Sequence, residues 1–106
     1  MPAVEDALIH FFELAAQKEP ALMTSIQQER RFSVAAERWC FTLQDLFTFL
    51  QHRDEVFNRI DYKEFRHALF GSPINRATRA LGAEVIIADN RNNVDKSTYA
   101  LVWTDA

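Results

Sequence analysis

The tightest constraint on this chain is the helix punctuation between Asp61 and Gly82. Asp61 is a good N-cap, because its carboxylate accepts from main-chain N–H groups that the first helical turn leaves unpaired. Glu64, three positions on, can reach back to the cap's own N–H, and the pair forms a capping-box signature. Tyr62, Phe65 and Leu69 then fall on one apolar stripe. Gly71 suits the end of this helix, since glycine takes a positive φ without penalty. Ser72-Pro73 restarts a helix at once, with Ser72 as cap and Pro73 where a missing N–H costs nothing. In the second helix Ile74, Ala77 and Leu81 form the inward stripe, Asn75, Arg76 and Arg79 point the other way, and Gly82 ends it.

Two strand patterns follow. Residues 84–89 centre on Val85-Ile86-Ile87, β-branched residues poorly suited to a helix. Residues 98–104 alternate Tyr99, Leu101 and Trp103 with Ala100 and Val102. The polar run 90–97 between them reads as the loop of a β-hairpin. Helix, tight turn, helix, hairpin is an order that resembles a winged helix. The likeness covers about 60 residues if 42–51 supplies the first helix and 56–60 a short strand, although 56–60 also suits one more helical turn. Ala68 and Gly71 match only loosely the small residue and turn glycine usual in that architecture.

Ahead of this stretch, residues 4–17 read as a helix with Val4, Leu8, Phe11 and Ala15 on one stripe and Ile9 and Phe12 widening it. Glu5 and Asp6 lie in its first turn, where they favour the positive end of the helix dipole. A face this broad implies more than one neighbour, within the monomer or in a second subunit. Pro20 opens a further helix over 20–28. Segment 33–41 stays open: Ser33 can cap a helix through Val34-Ala35-Ala36, while Arg38-Trp39-Cys40-Phe41 suits a strand equally. Thr42 caps a core helix over 43–51 carrying Leu43, Leu46, Phe47 and Leu50. The expected fold class is therefore α+β: four to five helices with a C-terminal antiparallel β-hairpin, winged-helix-like. It forms one domain over 1–106, with an N-terminal helical part at 1–41 and the winged-helix-like part at 42–104.

The composition rules out several classes. Nine Phe, two Trp and two Tyr can fill a core, and two Gly with three Pro argue against disorder. The single cysteine, Cys40, excludes an internal disulfide and fits a reducing compartment. No apolar run is long enough for a membrane helix, and Glu5-Asp6 precede the first one where a signal peptide carries positive charge, so a cytoplasmic location is expected. His10, His52 and His67 share no ligand spacing, and the glycines cannot build a phosphate-cradling loop. Neighbouring acids such as Asp54-Glu55 do not face one another as a hydrolytic pair must. The run 89–95 has a partial likeness to a calcium loop, yet Arg91 stands where an oxygen ligand is needed and the turn glycine is missing. No catalytic residue, cofactor or metal is expected, and no small-molecule substrate.

The candidate contact surface is Asn75, Arg76 and Arg79 on the second helix of the turn, with Arg91 and Lys96 in the hairpin loop. Asn and Arg are the residue types that read adenine and guanine edges, and the loop cations suit a flanking phosphate backbone. The charge balance opposes this. The net charge is −3, and only residues 62–104 lean basic, with six cations against four acids. The leading expectation is a non-enzymatic protein-interaction or small oligomeric module with a protein partner or a second copy. Duplex nucleic acid bound through the 75–81 helix and the loop is the alternative.

Overall fold

The computed structural model describes residues 2–93 and 96–103. Among them five α-helices and a four-stranded antiparallel sheet run in the order α1 (Pro2–Ala16), α2 (Pro20–Gln28), β1 (Ser33–Val34), β2 (Arg38–Phe41), α3 (Leu43–Arg53), α4 (Tyr62–Gly71), α5 (Ile74–Arg79), β3 (Ala83–Asp89) and β4 (Thr98–Trp103). The α+β class, with a C-terminal hairpin from β3 to β4, is as expected.

The start and stop signals work as local chemistry predicts. At α4 both halves of the capping box form: Glu64 N donates to Asp61 Oδ1 at 2.8 Å, and Asp61 N to Glu64 Oε1 at 3.2 Å. At α3, Asp45 N donates to Thr42 Oγ1 at 3.2 Å. Helix α1 closes in a Schellman turn, in which Lys18 N donates to the Ala15 carbonyl and Glu19 N to the Leu14 carbonyl. Lys18 takes the left-handed conformation there, at φ 54°, although it is no glycine. Its ammonium lies 4.8 Å from the Trp103 ring centroid and donates to the Ala36 carbonyl, contacts that offset the backbone cost. Gly82 takes φ 82° and turns the chain from α5 into β3.

The sheet order is β1-β2-β4-β3, so β4 lies between β2 and β3. Trp39 faces Leu101 and Phe41 faces Tyr99, while Val85 and Ile87 flank the same two β4 residues from the other side. This face packs on the helices: Trp39 and Leu101 are fully buried, with Phe11 edge-on and Phe12 tilted against the Trp39 ring. Trp103 Nε1 donates to the Ala15 carbonyl at 3.0 Å and ties β4 to the end of α1. The broad apolar face of α1 is thus spent inside the monomer, where Val4, Leu8, Phe11, Phe12 and Ala15 are all buried.

Several local expectations are corrected. Residues 56–60 do not form a strand; Glu55–Asn58 is a single 3-10 turn capped by Asp54, with Phe57 buried beneath it. That is the helical-turn alternative, and the Asp54 carboxylate, which accepts from Val56 N, selects it. The strand beside β4 comes instead from Arg38–Phe41, whose alternation buries Trp39 and Phe41. Segment 33–41 is therefore a short hairpin, Ser33–Val34 pairing with Trp39 and Cys40. Gly71 is the last residue of α4 and is not left-handed, and Ser72 does not cap α5. Pro73 disfavours a helical conformation at Ser72, which goes extended, and the Ser72 hydroxyl turns back to the Ala68 carbonyl.

Candidate functional site

Helix α5 carries three of the five anticipated contact residues, and the fold gives them different tasks. Asn75 does not point outward. Its Oδ1 accepts from Val85 N at 2.7 Å and its Nδ2 donates to the Val85 carbonyl at 3.0 Å, so the amide is bonded to β3 on both sides. Arg79 lies exposed and its Nε donates to Glu84 Oε1 at 2.7 Å. Arg76 is exposed and makes no ion pair among the described residues.

Arg91 and Lys96 lie in the β3–β4 loop, of which residues 94 and 95 lie outside the described set; the partial calcium-loop likeness includes both. Arg91 Nε donates to Asp89 Oδ2 at 2.9 Å. The loop is held by its own polar groups: the buried Ser97 hydroxyl accepts from Arg91 N and donates to the Asn93 carbonyl. Asn90 Oδ1 accepts from Asn92 N, and Asn92 sits left-handed at φ 56°, as an asparagine-rich tip allows. Of the five residues, Arg76 and Lys96 are the cations free of a carboxylate partner among the described residues.

A second constellation went unnoticed in the sequence. Phe70, at the end of α4, is 57 % exposed, and Ile87 in β3 is 54 % exposed. Both line an apolar cleft of about 310 Å³ between the α4–α5 junction and the open edge of β3. Pro73, Ile74 and Tyr99 form its walls, and the buried rings of Phe12 and Phe41 lie at its floor. The Phe70 and Tyr99 rings sit 6.3 Å apart across it. Among the described residues that line the cleft, Arg76 is the charged one. The signal in the sequence was Phe70 falling one place off the 62–65–69 stripe, together with two successive isoleucines in a strand that buries one face.

The edge of β3 is open along part of its length. In an antiparallel pair, successive residues alternately turn their main-chain groups toward and away from the partner. Those of Val85 turn away from β4, to Asn75. By the same alternation the main-chain groups of Ile87, two residues further on, turn away from β4. Helix α5 thus covers the β3 edge at Val85, and a bulge between Ile87 and Asp89 interrupts the edge further on.

His10, His52 and His67 are exposed, and Cys40 is half-buried on the sheet face turned away from the helices. Among the described residues no group of three His, Cys, Asp or Glu side chains gathers as a metal site would require. No helix among them is long and apolar enough to cross a membrane. Comparison with protein-family models, with curated proteins and with solved structures found no match to this chain.

Proposed function

We propose that this chain is a non-enzymatic protein-interaction module on a winged-helix-like scaffold, and that it docks its partner at the cleft between Phe70 and Ile87. One observation carries the reading: two large apolar side chains that line the same cleft stay more than half exposed, where a monomer gains nothing from exposing them. A rigid floor of buried aromatics beneath them supports it, since a preformed cleft loses little entropy on binding. The scaffold reading draws on the helix–turn–helix run α4–α5 followed by the β3–β4 hairpin.

The arrangement lends less to the duplex-binding alternative. Asn75 is engaged by β3, and Arg79 and Arg91 each face a carboxylate, which leaves Arg76 and Lys96, of the five, without a carboxylate partner among the described residues. Neutralising so few phosphates supports only weak, strongly salt-dependent binding.

The test is comparative purification under mild conditions. The wild-type chain is expected to carry a stoichiometric companion, another protein or a second copy. Phe70→Ser and Ile87→Asp should lose it, while Arg91→Ala with Lys96→Ala should keep it. The reading fails if the companion survives both cleft substitutions, or if the wild-type chain stays alone and monomeric at high concentration.

A further inference from the structure

The sheet has a second face, turned away from the helices. Registered partners point to the same side of a sheet, so Cys40, Ala100 and Ile86 form one row on this face and Arg38, Val102 and Glu84 the next. None of the six belongs to the hydrophobic core cluster. Ile86 is 38 % exposed, and Cys40 and Val102 are half-buried. Arg38 and Glu84 stand at the two ends of their row, on β2 and β3, with opposite charges and Val102 between them. Arg38 is exposed and pairs with no carboxylate among the described residues. Glu84 accepts from Arg79 through Oε1. A row that runs cation, valine, anion is complementary to itself when turned about its middle strand, which is the condition for a two-fold interface.

We propose that a second copy of this chain packs on this face, sheet against sheet, about a two-fold axis running along β4. Sheets stacked this way lie about 10 Å apart with their strands near alignment. The axis sets Arg38 of each copy over Glu84 of the other, and Cys40 over Ile86, small against large. Ala100 meets its own counterpart at the axis, where a methyl group lets the two sheets approach. Each Glu84 then accepts from Arg79 of its own chain and from Arg38 of the other. Both rows lie before the irregularity of β3, whose register with β4 is unbroken from Ala83 to Ile87. The overlap ends at the Arg38 row, so the turn carrying Ala36 lies outside it. Among the described residues the face shares only Ile86 with the Phe70–Ile87 cleft. A second copy held here leaves that cleft open, and the companion expected there is then a different protein.

The experiment is sedimentation velocity of the full chain over a wide range of concentration. It compares the wild type, Arg38→Glu, Glu84→Lys, an equimolar mixture of those two variants, and Phe70→Ser. The wild type should dimerise. Each charge variant should weaken the dimer by about tenfold or more, because like charges then meet at both ends of the interface. The mixture should dimerise again, as a heterodimer, since glutamate at 38 then faces lysine at 84 and the native Arg38 faces the native Glu84. A general loss of folding in either variant would give no such recovery. Phe70→Ser should dimerise like the wild type. A wild type that stays monomeric at every concentration overturns the inference, as does a dimer that survives both charge variants or a mixture that stays monomeric. A dimer lost in Phe70→Ser and kept in both charge variants would move the second copy to the cleft. If the dimer behaves as expected while the cleft substitutions strip no other protein, this face stands and the docking role of the cleft falls.

Discussion

Asn75 supplies with one side chain the pair of hydrogen bonds that a neighbouring strand would give Val85. Asn75→Ala leaves both main-chain groups of a half-buried residue short of a partner, and unfolding in urea should show a loss of about 1–3 kcal/mol at unchanged m-value. A loss near zero would mean that water serves those groups equally well. A second residue-scale prediction concerns Glu29. Arg31 Nε donates to its carboxylate at 3.1 Å and holds its pKa below the ordinary glutamate value. A group depressed in the folded state adds stability above its unfolded pKa and loses it as the pH falls through the folded one. A carboxyl NMR titration should therefore place the Glu29 midpoint below that of an unpaired glutamate, and Arg31→Gln should raise it. An unmoved midpoint in that variant would contradict the pairing. Neither role was legible in the sequence. Helical periodicity put Asn75 on the outward face, and nothing local says that a strand ten residues later returns to meet it. Lys18 is a similar case, since its left-handed conformation is held by Trp103 and Ala36, both distant in the chain.

At the scale of elements, legibility followed how local the determining chemistry was. The capping box at Asp61 and the Thr42 cap involve residues three apart, and both formed where the residue types placed them. Asp61→Ala should accordingly cost about 1 kcal/mol in thermal or urea unfolding, and a neutral result would show that Glu64 alone sustains the start of α4. Segment 33–41 could not be decided locally, because its strand conformation depends on the pairing of Arg38–Phe41 with β4 some sixty residues later. The choice between strand and helical turn at 56–60 stayed open for the same reason. β-branched Val56 and Ile60 carried the propensity, while the Asp54 cap and the burial of Phe57 carried the outcome. At the α4–α5 turn the residue types were right and their tasks were not: Pro73 stops α4 by itself, so Gly71 is not asked for a positive φ.

At the scale of the molecule, the α+β class was readable because nine phenylalanines and two tryptophans need one shared core and the helix and strand periods are distinct. The candidate site was only partly readable. Charges are visible in a sequence wherever they fall, so Arg76, Arg79, Arg91 and Lys96 drew attention, whereas exposed apolar residues look like core until the fold is known. Phe70 and Ile87 belong to that hidden class, and each sits where the helical layer ends before it covers the sheet. Being exposed, both should tolerate substitution by serine with stability changed by no more than about 0.5 kcal/mol, which denaturant unfolding can check. A larger loss would make them structural after all. The most direct test of the docking site is crosslinking in living cells from a photoreactive phenylalanine analogue placed at Phe70, at Ile87, or at exposed Ala36 near the opposite end of the sheet. The same discrete adduct from Phe70 and Ile87, with none from Ala36, is the predicted result. Equal labelling from all three positions, or no adduct from Phe70 and Ile87, would contradict the assignment of this cleft as the place where the protein meets its partner.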